Sequence, residues 1–259
     1  MGTILFDKIV FGPVKSRRLG VSLGMNLLPP DGKFCSFDCI YCECGLNDER
    51  KTTTRLPKRE EAKKELEETL VAMQAEGTAP DVITFAGNGE PTMHPQFAGI
   101  IDDTIELRDK YFPKAKIAVL SNATMIKRKS VFDALLKIDN RILKLDSVLD
   151  SRIQQLNAPY SPSFTFEWLV KNLKSFEGNL IIQTMFLNGE YKGESVSNMT
   201  EEEISGWINA LKEINPRQVM IYTVDRETPV KGLKKASKEE LDAIANRARK
   251  EGFDVSVSY

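Results

Sequence analysis

The chain has 259 residues, 41% hydrophobic and 28% charged, which is enough apolar material for a sizeable core and excludes a globally disordered chain. Lys plus Arg total 36 and Asp plus Glu total 37, leaving a net charge of -1 and no overall cationic excess of the kind a nucleic-acid coat protein carries. No apolar run reaches the roughly 18–20 residues of a membrane helix, and residues 1–14 lack the apolar stretch of a signal peptide, so a cytoplasmic protein without membrane contact is expected.

Short apolar runs alternate with amphipathic stretches. The strand candidates are Gly20–Leu28, Asp81–Ala86, Lys116–Ser121, Arg141–Asp146, Leu180–Leu187 and Gln218–Val224. Most are nearly continuous apolar runs, as in a parallel sheet covered on both faces. The alternation of Phe253, Val255, Val257 and Tyr259 reads as a terminal strand over 253–259 with one face buried. Between the strands, apolar stripes at helical spacing mark Leu66, Leu70 and Met73; then Phe97, Ile100, Ile101 and Ile105; then Val131, Phe132, Leu135 and Leu136. Later helices carry Trp168, Leu169, Leu173 and Phe176, then Ile204, Trp207, Ile208 and Leu211, then Leu241, Ile244 and Ala245. Thr200 with Glu203, and Ser237 with Glu240, form capping-box patterns before the last two.

About six β-then-α units predict an α/β fold, best accommodated as a partial (β/α)6 TIM-like barrel, with a doubly wound parallel sheet as the alternative. No stretch reads as an interdomain linker, so residues 1–259 are expected to form a single core domain. In either fold, chemistry belongs at the C-terminal ends of the strands. The loops to read are those after residues 28, 86, 121, 146, 187 and 224.

All 4 cysteines fall between Cys35 and Cys44, which excludes a disulfide framework stapling distant segments. The loop over 29–45 contains Cys35, Cys39 and Cys42 in the spacing C-x3-C-x2-C. Closely spaced thiolates on a short loop suit an iron–sulfur cubane, and three ligands leave one iron open to an exogenous group. Cys44, two residues beyond Cys42, sits too close to reach the fourth iron without strain. A zinc site through all four cysteines is the alternative, poorly spaced for the usual pair of separated ligand pairs. The sequence has one His, His94.

The motif C-x3-C-x-aromatic-C after a first strand resembles the radical S-adenosylmethionine (radical SAM) superfamily. Later loops match in order: Ala86-Gly87-Asn88-Gly89-Glu90-Pro91 is similar to the family's Gly-Gly-Glu segment, Ser121-Asn122-Ala123-Thr124 follows the third strand, and Lys144-Leu145-Asp146 ends the fourth. The resemblance implies a radical SAM-type barrel in which Cys35, Cys39 and Cys42 hold a [4Fe–4S] cluster whose open iron chelates SAM. Reductive cleavage then yields a 5′-deoxyadenosyl radical that abstracts hydrogen from a substrate. It implies further that Gly87 and Gly89 bring carbonyls close to the SAM ammonium, that Glu90 accepts from it, and that Ser121 and Asn122 meet the carboxylate or ribose. Tyr41 takes the aromatic position beside the adenine, and Lys144 and Asp146 meet the cofactor. Structural roles stand beside these: a core aromatic for Tyr41, a helix cap for Glu90, a turn residue for Asn122, and an ion pair on the barrel rim for Lys144 with Asp146. A low-potential donor, flavodoxin or ferredoxin, is implied as partner.

The segments Gly12 to Gly24 and Gly89 to Pro95 resemble a subgroup related to the wyosine-base synthetases that act on tRNA. Those synthetases carry a further cysteine set before the main motif, and residues 1–34 contain none, so one cluster is expected and the substrate is unassigned, with tRNA modification the leading reading. The alternatives are an activating enzyme that places a radical on a partner protein, and a zinc-stabilised RNA-binding module. The strand-end loops carry a modest basic excess, compatible with tRNA or another anionic substrate, although solvated loop charge is the plainer reading. Arg17 and Arg18 form a further candidate anion contact. His94 reads as a hydrogen-bonded structural residue and Cys44 as an apolar filler.

Overall fold

A computed structural model describes residues 4–16, 19–47 and 52–259. Arg17 and Arg18 lie outside the described residues. The chain begins with an antiparallel hairpin of β1 (Val10–Ser16) and β2 (Gly20–Met25). There follow α1 (Arg59–Ala75), β3 (Val82–Phe85), α2 (Phe97–Tyr111), β4 (Lys116–Ser121), α3 (Lys129–Lys137) and β5 (Asn140–Lys144). Next come α4 (Asp150–Leu156), α5 (Phe166–Leu173), β6 (Ile181–Met185), β7 (Leu187–Tyr191) and β8 (Glu194–Ser195). The chain continues through α6 (Glu201–Ile214), β9 (Gln218–Tyr222), β10 (Leu233–Lys235), α7 (Lys238–Lys250) and β11 (Val255–Ser258).

The main sheet has eight strands in the order β1-β2-β3-β4-β5-β6-β9-β11. Every pair from β2 to β11 is parallel, so seven strands end on one rim. The sheet curls into a partial TIM-like barrel with helices outside, as the alternation of apolar runs and amphipathic stripes predicts. Both sheet faces are apolar. Val82, Ala118, Ile142, Ile181 and Met220 form a small cluster with Leu19 and Leu120. Their strand neighbours Ile83, Ile117, Val119, Leu143, Ile182 and Val219 pack with the helices in the main core. Burial on both faces is why these strands read as continuous rather than alternating runs. Trp207 of α6 is 2% exposed and donates its indole N–H to Thr184 Oγ1 at 2.9 Å, fastening that helix to β6.

Several local expectations change. The first strand stops at Met25 instead of Leu28, because Asn26 Oδ1 accepts from Leu28 N (3.2 Å) and its Nδ2 donates to Leu28 O (3.1 Å), folding the chain into a side-chain turn. The run Leu180–Leu187 divides after Met185. Leu187 begins β7, which pairs with β8 and β10 in a separate three-stranded antiparallel sheet that the sequence reading lacks. Helix α4 is also absent from that reading, having only Ile153 and Leu156 as buried anchors. The Ser237–Glu240 capping box forms in full. At Thr200 only half forms: the threonine hydroxyl accepts from Glu203 N, but the Glu203 carboxylate turns inward to accept from Ser147 Oγ (2.7 Å) and Val148 N (2.9 Å). A cap residue thereby becomes a buried tie to the loop after β5.

Candidate functional site

The loop after β2 is held from two sides, which brings its thiols together. On one side Phe34 N donates to Asn88 O (2.8 Å) and Glu90 N to Phe34 O (3.1 Å). On the other, Asp38 N donates to Asn157 O (2.8 Å) and Ile40 N to Leu156 O (3.0 Å), at the end of α4. Two tight turns, Cys42 N to Cys39 O (3.1 Å) and Gly45 N to Cys42 O (3.0 Å), wind the segment on itself. Lys33, 4% exposed, reaches across the ring so formed and donates Nζ to Gly45 O (2.8 Å) and Asp38 Oδ1 (3.1 Å). Asn47 closes it through Phe37 O (3.0 Å).

The loop forms one wall of a cleft of about 270 Å³ at the C-terminal rim of the sheet. Of the eleven residues singled out from sequence, ten line it: Cys35, Cys39, Tyr41, Cys42, Gly87, Gly89, Glu90, Ser121, Asn122 and Lys144. Asp146 does not. It is 4% exposed and turned below the cleft, where Oδ2 accepts from Tyr41 OH and from Asn157 Nδ2 (2.8 Å), and Oδ1 from Met185 N (2.9 Å).

Both glycines stand where a Cβ would collide with a neighbouring segment. A Cβ on Gly89, at φ +143°, would stand 1.9 Å from Phe34 O, so its absence lets the cysteine loop lie against this strand end. A Cβ on Gly87 would stand 2.4 Å from Asn26 Oδ1, and Gly87 O accepts from Cys44 Sγ at 3.3 Å. Glu90 is 2% exposed and caps the short 3-10 turn Pro91–Met93 by accepting from Thr92 N (3.1 Å). It also accepts from Ser121 Oγ (2.9 Å) and Asn122 N (2.6 Å), joining the loops after β3 and β4. Burial pushes its pKa up against these hydrogen bonds. Asn122 serves as a turn residue, accepting from Thr124 N (3.0 Å), and its Nδ2 donates to Ser36 Oγ (2.9 Å).

Lys144 Nζ donates to Tyr222 OH (3.2 Å), lies 3.4 Å from Asp146 Oδ2 and stands 5.3 Å from the Tyr41 ring centre. Burial alone would lower its pKa, but the Asp146 carboxylate and the Tyr222 hydroxyl outweigh it and the net direction is up. Burial pushes Tyr41 up, reinforced by Asp146, so its hydroxyl stays protonated and donates. Cys35 and Cys39 are likewise pushed up by burial. The sulfur contact with Cys44 and the charge of the buried Lys33 hold Cys42 down, and Cys44 itself is driven up.

The donor set fits a cluster better than a single ion. Three thiols line the cleft, while Cys44 is buried behind them. Among the described residues no three Cys, His, Asp or Glu side chains converge closely enough for one metal ion. His94 does not line the cleft; its Nε2 pairs with Pro57 O (2.8 Å) and its Nδ1 accepts from Gln96 N (3.1 Å). Sequence reasoning missed Lys33, Asn157 and Gln183. Asn157 Nδ2 reaches Tyr41 OH (2.7 Å) and Cys39 Sγ (3.5 Å) as well as Asp146, and Gln183 lines the cleft. Of the three, only Asn157 had a local signal, the C-terminus of the unrecognised α4. The basic excess at the rim is largely neutralised by Lys129 with Asp133 (2.7 Å), Arg226 with Glu43 (2.7 Å) and Arg152 near Glu203 (3.9 Å).

Residues 30–194 match the family model described as the radical SAM superfamily. A UPF0026 protein of Methanocaldococcus jannaschii is 33% identical over 240 residues, covering 91% of this chain and 70% of that protein. A UPF0026 protein of Helicobacter pylori is 30% identical over 235 residues, covering 90% and 71%. Among solved structures, a radical SAM methyltransferase from Sphaerobacter thermophilus has a TM-score of 0.67 at 14% identity over 92% of this chain and 66% of that one. Streptococcus suis SuiB bound to S-adenosylmethionine has a TM-score of 0.62 at 16% identity over 88% of this chain, which spans about half (49%) of the SuiB chain. These structural likenesses bear on the fold alone.

Proposed function

The chain belongs to the radical SAM superfamily and, from that premise, we propose that its cleft is the active site of an enzyme abstracting hydrogen from an organic substrate. The superfamily uses a [4Fe–4S] cluster and SAM. When bound, they supply reductive cleavage of the carbon–sulfur bond of SAM and hydrogen abstraction by the 5′-deoxyadenosyl fragment.

The chain's own residues divide the remaining work. Cys35, Cys39 and Cys42 hold the cluster, and Lys33 sets a buried positive charge beside their thiolates. The carbonyls of Gly87 and Gly89 and the Glu90 carboxylate accept from the SAM ammonium. Ser121 and Asn122 orient its carboxylate or ribose. Tyr41 packs on the adenine, Lys144 faces the cleft, and Asp146 positions both from below. Phe37, Met185 and Tyr222 line the cleft and limit access of water. Residues 1–259 act as one core domain, and flavodoxin or ferredoxin supplies the electron.

The observation that carries this reading is the convergence of ten of the eleven singled-out residues on one cleft. Anaerobic reconstitution followed by dithionite and SAM is expected to release 5′-deoxyadenosine. An intact cluster that leaves SAM uncut overturns the reading. The substrate class proposed is a nucleoside of tRNA, supported by the resemblance of the segments Gly12 to Gly24 and Gly89 to Pro95. The neutralised rim charge gives it little further support. Mass spectrometry of RNA nucleosides from cells with and without the protein tests it; identical profiles overturn the tRNA reading alone.

A further inference from the structure

Lys33 opens the cysteine loop, and the bridge of its neighbour Phe34 with Gly89 fixes its backbone against the loop after β3. Its side chain is 1% exposed and runs inside the ring, where the ammonium donates to Gly45 O (2.8 Å) and Asp38 Oδ1 (3.1 Å). The same Asp38 oxygen accepts from Asn47 N (2.8 Å), and the Asp38 side chain keeps 21% of its surface exposed. The negative partner is therefore shared and partly hydrated, whereas the positive one is sealed from water and from screening by salt. A buried ammonium costs free energy unless its surroundings are negative. Burial opposes the charge on Lys33, and the sulfurs of Cys42, Cys39 and Cys35 favour it, each more than the Asp38 carboxylate does. All three sulfurs belong to residues that line the cleft, and Lys33 does not line it. Its charge reaches the site only through the cysteines.

We propose that Lys33 is a positioning residue that sets the reduction potential of the cluster held by Cys35, Cys39 and Cys42. This rests on the cluster assignment in the function proposed above. Reduction adds a single electron from the low-potential donor, and no bond forms or breaks. A cluster on three thiolates is already anionic, so the electron deepens a negative charge that the Lys33 ammonium stabilises and the Asp38 carboxylate opposes. Lys33 raises the potential, Asp38 lowers it, and the balance of the two decides how readily the donor fills the cluster.

The test uses the full chain, reconstituted anaerobically without SAM as wild type, Lys33→Met and Asp38→Asn. The cluster potential is read by electron paramagnetic resonance across a redox titration, and iron and sulfide are counted for each protein. Lys33→Met keeps most of the side-chain length and removes the charge; Asp38→Asn keeps an oxygen for Lys33 and Asn47 and removes only the charge. At a fixed applied potential the ratio of reduced to oxidised cluster is expected to fall about ten-fold or more in Lys33→Met and to rise in Asp38→Asn, ten-fold being about 59 mV for one electron. Opposite shifts at unchanged iron content mark an effect of charge, since a loosened loop moves both variants the same way. Potentials equal to that of the wild type, or shifted the same way in both variants, assign Lys33 a purely structural role and overturn the proposal. If Lys33→Met assembles no cluster, Asp38→Asn decides alone: a raised potential supports the proposal, and an unchanged or lowered one overturns it. A wild type that takes up no cluster overturns the function proposed above and this inference with it, whereas a potential indifferent to both charges in a protein that still cleaves SAM overturns this inference alone.

Discussion

Replacing Gly89 by Ala sets a methyl group 1.9 Å from Phe34 O, 2.5 Å from Phe34 C and 3.1 Å from Leu28 Cδ1. Two of these are backbone atoms of the cysteine loop, which must move away by more than an ångström. Backbone strain at φ +143° costs about 1–3 kcal/mol. Overpacking against an immobile neighbour costs about 1–3 kcal/mol. Gly89→Ala is therefore expected to lose roughly 2–6 kcal/mol, more if the bonds from Phe34 N and Glu90 N are broken. Gly77→Ala is the control: its φ is +69°, and nothing lies within 4 Å of its Cβ. It is expected to lose about 1–2 kcal/mol from the left-handed conformation alone. Urea unfolding of the two cluster-free variants isolates the close approach, and iron per protein after reconstitution reports whether the displaced loop still assembles a cluster. Gly89→Ala is expected to bind markedly less iron than Gly77→Ala. Equal unfolding midpoints and equal iron contents would refute the claim that this glycine is needed to seat the loop.

Two further outcomes follow from the geometry. Cys44→Ser is expected to keep the full iron content and visible absorbance of the reconstituted protein, whereas Cys39→Ser loses most of both; loss of the cluster in Cys44→Ser would make Cys44 a ligand. His94 is held neutral by burial, its pKa lowered from 6.5 although the Pro57 carbonyl opposes the shift. Its contribution to stability is therefore complete above pH 6.5 and is lost as pH falls below that value toward the folded pKa. Between pH 7.5 and 5.5 the wild type is expected to lose up to about 1.4 kcal/mol more than His94→Gln, measured by urea unfolding at each pH. Parallel pH profiles would show that His94 titrates alike in both states.

The parallel α/β architecture was legible because its signals are local. A strand buried on both faces needs an unbroken apolar run, an outer helix needs a stripe, and a loop that brings three thiols to one cleft wall needs cysteines a few residues apart. The order of the strand-end motifs was legible because parallel βα units deliver successive loops to one rim. Tertiary structure alone decided the assignments that depend on which distant groups share a buried volume. Asp146 left the cleft because Asn157 and the backbone at Met185 offered its carboxylate donors below it. Glu203 abandoned its helix cap for Ser147, 56 residues away. Arg226 lost its apparent excess charge to Glu43, 183 residues away. The same holds for β7, β8 and β10, whose few residues have weak intrinsic pattern and gain order only by pairing with one another. Hydrogen bonds and charges are satisfied in space, whereas periodicity runs along the chain, and only folding relates the two.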